Sequence, residues 1–142
     1  MTIRSPHPGL FVSGLEDSFR IGPRMDLVID CCGRGGDRPN GIIVRPSAGD
    51  HRWSVQDLDR IVGVAVPHLR AGHRVLIHCR SGRSRSTTAS AAVILAMDGA
   101  DDLEGAVLRS SRPSPDGPCA PDRRCMTSLR AWHIGRQSSL FW

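Results

Sequence analysis

Residues 74–97 constrain the fold of this chain more than any other stretch. They begin with an apolar run, Val75 to Ile77, whose ends are β-branched, as is typical of a buried strand. They end with small and apolar residues at 84–97, which predict a helix that Asp98-Gly99 terminates. Only residues 79–83 separate the two. A strand, a tight loop and a helix in succession indicate an α/β fold with the loop at the carboxyl end of a central strand.

The loop between this strand and helix has the residues for phosphate chemistry. Backbone N–H groups that converge at a helix N-terminus bind an oxyanion, and the helix dipole strengthens the attraction. The same field favours a thiolate over a thiol, which makes Cys79 a candidate nucleophile. Arg85 can hold two phosphate oxygens with its planar guanidinium group. Ser86 can donate a hydrogen bond to the sulfur, so the three residues together predict a phosphate-transfer site.

Residues 78–86 read His-Cys-Arg-Ser-Gly-Arg-Ser-Arg-Ser, which resembles the phosphate loop of the cysteine-dependent phosphatases. The narrower dual-specificity pattern, His-Cys-x-x-Gly-x-Ser-Arg-Ser, is met at every fixed position. The resemblance implies that His78 supports the loop by hydrogen bonds. It also implies that the phosphate is bound by the six residues that follow the cysteine, Arg80, Ser81, Gly82, Arg83, Ser84 and Arg85.

The order of predicted elements agrees with the dual-specificity phosphatase fold that this resemblance implies. We expect one α/β domain over residues 1–142, with a central mixed sheet of four to five strands flanked by helices and an apolar-ended tail at 136–142. Pro67 either kinks the helix that Ser54 caps or ends it near Val66. Strands are predicted at 10–13, 26–32, 42–44 and 74–78, and the later helices at 84–97, from Asp101 or Asp102 to 110, and at 123–133.

A phosphate ester also needs a proton for its leaving oxygen, which a carboxylic acid on a loop can supply. In the family this acid precedes the cysteine by about thirty residues, after a strand and before a helix. Asp50 has this placement and is the candidate acid. Asp57 and Asp59 are rivals, although they fall in the first turns of a helix, where they suit its dipole. Asp37 lies farther away, in a glycine-rich loop.

The five cysteines predict neither a zinc site nor a disulfide framework, because their number is odd and no Cys-x-x-Cys occurs. Free thiols indicate a reducing cytoplasm. We expect no metal and no cofactor. In lipid-phosphatase relatives, a cysteine at the end of the neighbouring strand forms a disulfide with the nucleophile. This resemblance makes Cys32, next to Cys31, a candidate redox partner of Cys79.

The composition favours an anionic substrate. The net charge is +5, and every one of the 19 basic residues is arginine, which is typical of a high-GC bacterium or its phage. No nucleic-acid partner is expected, because the chain has no tyrosine and no basic run interleaved with aromatic residues. The longest apolar run, 91–97, is too short to span a bilayer, and the N-terminus has no apolar signal segment. We expect a cytoplasmic monomer.

The resemblance implies a metal-independent phosphomonoester hydrolase that forms a phosphocysteine intermediate. Its first expected substrate is a phosphorylated protein, cleaved with tyrosine or dual specificity. Arg80 and Arg83 favour an alternative, a phospholipid, phosphoinositide or other polyanionic substrate. A third hypothesis, from another class, is a phosphate-binding pseudophosphatase. The family's Pro-Asn before the last helix is replaced here by Pro121-Asp122, so the support that this loop gives the site remains open.

Overall fold

The apolar runs of the sequence assemble into one five-stranded mixed sheet. The structure is a computed structural model and describes residues 3–49, 52–98, 102–113 and 117–139. The strand order is β1-β2-β5-β3-β4, and only β1 is antiparallel to its neighbour. The predicted α/β class and mixed sheet are therefore confirmed. The strands are β1 Arg4–His7, β2 Leu10–Ser13, β3 Leu27–Asp30, β4 Gly41–Ile43 and β5 Val75–His78.

Helices cover both faces of the sheet. The last helix is longer than the sequence predicts and includes the first residues of the expected tail; residues 140–142 are not among those described. No described helix is long and apolar enough to cross a membrane. The helices are α1 Leu15–Ile21, a 3-10 turn at Gly22–Arg24, α2 Val55–Arg70, α3 Arg85–Asp98, α4 Leu103–Ser110 and α5 Arg123–Ser139.

Helix α2 begins with a capping box and continues through its proline. The Ser54 hydroxyl accepts a hydrogen bond from the Asp57 backbone N–H, and the Asp57 carboxylate accepts one from the Ser54 backbone N–H. Pro67 lies one turn before the end of the helix, so only the carbonyl of Gly63 loses its usual partner. Gly63 is exposed, so water can bind this carbonyl. Of the two alternatives for Pro67, the end near Val66 is therefore wrong.

Strand β5 and helix α3 form the centre of the molecule. Both are buried along most of their length, and α3 packs against the sheet and against α2, α4 and α5. The alanines and serines of α3 allow this close approach because their side chains are short. A central strand and helix buried by the rest of the fold hold the loop between them in a fixed place.

Candidate active site

The sulfur of Cys79 lies in the loop between β5 and α3, at the N-terminus of the helix. The residue is only 1% exposed, and its Sγ atom accepts a hydrogen bond from the Gly82 backbone N–H at 3.2 Å. The Ser86 Oγ atom lies 3.1 Å from the same sulfur. The Gly82 N–H and the N-terminus of α3 are thus directed at the sulfur, and the Ser86 hydroxyl lies within hydrogen-bond distance of it. The structure brings Cys79 and Ser86 together, and their joint action stays a prediction.

Gly82 is required by the way the loop packs. Its φ of +72° lies in the left-handed region, and a Cβ atom there would be 2.6 Å from the backbone nitrogen of Gly14. The loop therefore lies directly on the turn that joins β2 to α1. The Leu15 backbone N–H donates to the Arg80 carbonyl at 3.0 Å and fixes this contact. Gly14 and Gly82, the two residues at the closest approach, are both buried.

The start of α5 holds the opposite side of the loop. The Ser84 hydroxyl accepts a hydrogen bond from the Asp122 backbone N–H at 2.9 Å and donates to the sulfur of Cys125 at 3.3 Å. The Asp122 carboxylate accepts from the Cys125 backbone N–H at 2.8 Å, which lowers the pKa of this carboxyl group. An aspartate at this position thus caps α5 and also supports the loop. The departure from the family's Pro-Asn leaves this support in place.

His78 is fixed by Arg38, a residue that the sequence did not single out. His78 is fully buried, and the Arg38 Nη1 atom donates to its Nε2 atom at 3.0 Å. A second nitrogen of Arg38 donates to the Ser18 hydroxyl at 2.9 Å. Because Nε2 accepts, the ring proton belongs on Nδ1, which faces the Cys79 carbonyl at 3.4 Å. Burial lowers the pKa of His78, which keeps the ring neutral.

Asp30 is buried beside His78 and remains ionised. Burial alone would raise its pKa, but hydrogen bonds from the Gly35 and Cys32 backbone N–H groups and from the Cys32 thiol bring it below the ordinary value. Ligand atoms of Asp30, Cys32 and His78 lie within 4.8 Å of one another. Those atoms already hold hydrogen bonds, and the cationic Arg38 contacts the histidine nitrogen that would bind a metal. The cluster therefore favours a hydrogen-bond network over a cation site.

The strand register places Cys31 and Cys32 on opposite faces of the sheet. Asp30 pairs with His78, and the Cys31 backbone N–H donates to the His78 carbonyl at 2.7 Å. Side chains alternate along a strand, so Cys31 shares the face of Cys79, while Cys32 shares the face of Asp30. Burial raises the pKa of both thiols, well above the ordinary value for Cys31. The pairing of Cys32 with Cys79 stays a prediction, although the register places Cys31, and not Cys32, on the face of Cys79.

The candidate acid Asp50 lies outside the residues that the structure describes, as does His51. The residues on either side of them, Ala48 and Arg52, pair through two backbone hydrogen bonds of 3.0 and 3.3 Å. The rival Asp57 is engaged elsewhere, because its carboxylate accepts from the Ser47 backbone N–H at 2.8 Å and from the Ser47 hydroxyl at 2.7 Å.

A second rival for the acid, Asp59, also has a structural partner. Its Oδ1 atom accepts a hydrogen bond from the buried indole of Trp132 at 2.7 Å, which ties α2 to α5. The third rival, Asp37, lines a separate cavity of about 430 Å³ near β4. None of the three carboxylates thus displaces Asp50 as the candidate acid.

A wide cleft of about 1030 Å³ lies against the phosphate loop. Arginine is the most frequent residue in its lining. Arg83 does not line this cleft, since its guanidinium group lies beside Gly117 instead. Two carboxylates, of Asp57 and Asp122, also line it. The cleft arginines come from five different segments of the chain and are Arg34, Arg45, Arg60, Arg80, Arg85 and Arg124.

Solved structures of other proteins have the same fold as this chain. A variant of human DUSP28 is 17% identical, with a TM-score of 0.81 and coverage of 98% of this chain and 99% of the other. PTPMT1 in complex with PI(5)P is 14% identical, with a TM-score of 0.78 and coverage of 99% of each chain. This chain has the fold of the dual-specificity phosphatases.

The same fold also occurs in a protein that is named phosphatase-like. The human tyrosine phosphatase-like serine/threonine/tyrosine-interacting protein is 16% identical, with a TM-score of 0.74 and coverage of 95% of this chain and 97% of the other. No protein family and no curated protein sequence matches this chain. The likeness to the dual-specificity phosphatases is therefore one of fold, and an argument for activity rests on the loop.

Gly82→Ala should disrupt the phosphate loop. The added Cβ atom would meet backbone on a neighbouring segment and would force a left-handed conformation on alanine. We expect a loss of about 1–3 kcal/mol in the free energy of unfolding, together with loss of binding of a phosphate analogue such as vanadate. Gly63→Ala is the matched control, since nothing lies within 4 Å of a Cβ there. Equal behaviour of the two variants in urea denaturation and vanadate titration would contradict this account of the loop.

The neutral, buried His78 should make the fold sensitive to mild acid. The pKa of His78 is lowered below its ordinary value of 6.5, so the unfolded chain binds a proton at a higher pH than the folded chain. The free energy of unfolding should therefore decrease as the pH falls below about 6.5. Protonation of Asp30 lowers the free energy of unfolding further, but only below pH 3.8, the ordinary pKa of an aspartate. Urea denaturation between pH 7 and 5 gives the free energy of unfolding of wild type and His78→Gln. An equal decrease with falling pH in the two proteins would disprove the role of His78.

Proposed function

We propose that this chain is a metal-independent phosphomonoester hydrolase with Cys79 as its nucleophile. The observation that carries the proposal is the environment of the sulfur. It accepts a hydrogen bond from the Gly82 N–H and contacts the Ser86 hydroxyl at the N-terminus of α3, beside the arginine-lined cleft. A cysteine of purely structural importance would not need donors arranged in this way.

The proposed reaction has two steps. The phosphate of the substrate binds the loop N–H groups and the guanidinium group of Arg85, which lines the cleft. The Cys79 thiolate then attacks phosphorus in line, and the bond to the leaving oxygen breaks as that oxygen takes up a proton. Water hydrolyses the phosphocysteine, which releases inorganic phosphate and restores the thiolate. Ser86 stabilises the departing sulfur in this second step, because its hydroxyl already lies within hydrogen-bond distance.

We propose Asp50 as the acid in the first step and the base in the second. Partial burial would raise the pKa of its rival Asp57, but hydrogen bonds from Ser47 and Ser54 bring it below the ordinary value. A carboxylate stabilised in this way is a poor proton donor. The same bonds hold Ser47, at the start of the segment that carries Asp50.

The substrate class remains to be chosen between the sequence-based alternatives. Neighbours in fold include DUSP28, a dual-specificity phosphatase and PTPMT1 with bound PI(5)P, so the fold is compatible with protein and lipid substrates. The sequence makes phosphoprotein the first candidate and a polyanionic substrate the second, and the arginines of the cleft favour the second. A pseudophosphatase is the candidate of another class, because a phosphatase-like interacting protein shares the fold. The cytoplasmic location and monomeric state stay predictions.

Cys79→Ser should abolish turnover of an aryl phosphate and still allow binding of vanadate, because the loop N–H groups and Arg85 remain. Arg85→Lys should lose most of its kcat, since a lysine cannot reproduce the two parallel hydrogen bonds of a guanidinium group. Arg20→Lys, on the exposed side of α1, is the control and should resemble wild type. Turnover by Cys79→Ser within tenfold of wild type would refute Cys79 as the nucleophile. An Arg85→Lys variant with the kcat of wild type would refute the role of Arg85.

Asp50→Asn should slow the hydrolysis of esters with poor leaving groups by about 10²–10⁴-fold, the usual contribution of a general acid. An activated aryl phosphate should be affected much less, because its leaving oxygen needs little protonation. The measurement compares kcat/KM for phenyl phosphate and 4-nitrophenyl phosphate in wild type, Asp50→Asn and Asp57→Asn. If Asp57→Asn showed the leaving-group dependence and Asp50→Asn did not, the acid would have to be reassigned to Asp57.

A further inference from the structure

We propose that three arginines of the cleft form a second anion site, and that the preferred substrate is a small phosphomonoester that carries a second phosphate. We call Arg34, Arg45 and Arg60 the outer arginines, because they line the cleft but lie outside the phosphate loop. The proposal names the substrate class of the same site and therefore rests on the proposed function.

The outer arginines come from three separate segments that meet at one cleft. Arg34 lies in the loop after β3, Arg45 follows the end of β4, and Arg60 lies in the second turn of α2. The cleft continues without interruption to Arg80 and Arg85 of the phosphate loop. A phosphate seated on the loop would thus share one open cleft with the outer arginines. Convergence of charge from distant parts of the chain on one concave surface is typical of an anion site.

The positive charge of the outer arginines is not neutralised by the protein itself within residues 3–49, 52–98, 102–113 and 117–139. None of the three forms an ion pair there. The cleft contains two carboxylates, of Asp57 and Asp122, against its six arginines, so positive charge remains in excess. Like charges that share a cleft repel one another, and an anionic ligand relieves this repulsion.

The side chain of Arg45 lies next to the backbone of the neighbouring loop. Gly33 has a φ of +72°, and a Cβ atom at that position would lie 3.0 Å from the Cδ atom of Arg45 and 3.4 Å from two of its guanidinium nitrogens. The side chain of Arg45 therefore passes close to Gly33. Glycine at this position leaves room for the arginine beside the cleft.

The remaining lining of the cleft favours a second phosphate over an aromatic group. No aromatic side chain of a described residue lines the cleft, whose apolar part consists of Ile43, Val44 and Pro46. A phosphotyrosine ring would find little surface there on which to stack. A guanidinium group instead matches the geometry of phosphate with two parallel hydrogen bonds. The volume of about 1030 Å³ exceeds what one phosphate group needs.

The first experiment compares propane-1,3-diol bisphosphate with propyl phosphate, which lacks the second phosphate. Wild type should hydrolyse the bisphosphate with a kcat/KM at least about tenfold higher. Arg45→Ala combined with Arg60→Ala should remove this preference by raising KM, with little change in kcat, because the distant contact is equal in ground and transition states. Turnover of propyl phosphate should stay within about twofold of wild type. The preference should also shrink between 0.05 and 0.5 M NaCl, since exposed charges are screened.

Arg70→Ala provides the matched control. It removes the same charge from the same helix as Arg60, but Arg70 is exposed at the far end of α2 and does not line the cleft. It should keep the preference for the bisphosphate. Equal losses in the double variant and Arg70→Ala, or equal losses on both substrates, would overturn the second anion site.

A binding measurement separates failure of this proposal from failure of the proposed function. Propane-1,3-bisphosphonate, which cannot be hydrolysed, is titrated into wild type and the double variant by calorimetry. If no phosphate ester is turned over but binding is lost in the double variant, the anion site stands and the hydrolase proposal fails. If turnover is normal and the double variant binds as well as wild type, the anion site is refuted.

The second phosphate could belong to a soluble metabolite or to a lipid headgroup. Vesicles of phosphatidylcholine with 5% phosphatidylinositol monophosphate test the lipid source, and the water-soluble glycerophosphoinositol monophosphate tests the soluble one. Faster phosphate release from the vesicles, dependent on the outer arginines, assigns the lipid source. Faster release from the soluble ester with the same dependence assigns a metabolite. Release that is independent of the outer arginines in both arms contradicts the proposal.

Discussion

The contact between the phosphate loop and the turn after β2 is the constraint on which the rest of this structure depends. Gly82 lies so close to Gly14 that a Cβ atom at Gly82 would be 2.6 Å from a backbone nitrogen. Because the two backbones meet there, the Gly82 N–H is directed at the Cys79 sulfur at 3.2 Å. On the opposite side, Ser84 is bound by the start of α5. The donors around the sulfur are therefore fixed by packing before any phosphate arrives, which is how preorganised sites stabilise developing charge.

Elements with a strong local pattern could be predicted from the sequence, and those without one could not. The strand at 75–78 has a β-branched apolar run and the helix that follows has a stretch of small and apolar residues, and the structure contains both. Strand β1 was not predicted, because Arg4–His7 contains a proline and no apolar alternation, and only its antiparallel pairing with β2 makes it a strand. Helix α1 has a single buried residue, Ser18, so its sequence lacks an amphipathic pattern.

The site shows the same division between local and long-range information. Every loop residue from Cys79 to Ser86 is close in sequence, so the spacing alone predicted their association. Arg38, by contrast, reaches His78 across 40 positions, and no local pattern marks an arginine in a glycine-rich loop as the partner of a buried histidine. The choice between Cys31 and Cys32 likewise depends on strand register, which a sequence pattern leaves open.

Substrate preference depends on the same kind of long-range information. The motif predicts that a phosphate is bound, and a fold shared at under 20% identity with DUSP28, PTPMT1 and a phosphatase-like interacting protein does not indicate the substrate. The walls of the cleft come from the loop after β3, the end of β4 and the second turn of α2, which all lie outside the phosphate loop. These segments can change their side chains without disturbing the sulfur or its donors. In the second anion site proposed above, selectivity is carried by Arg45 and Arg60, which lie far from the motif in sequence and line the same cleft.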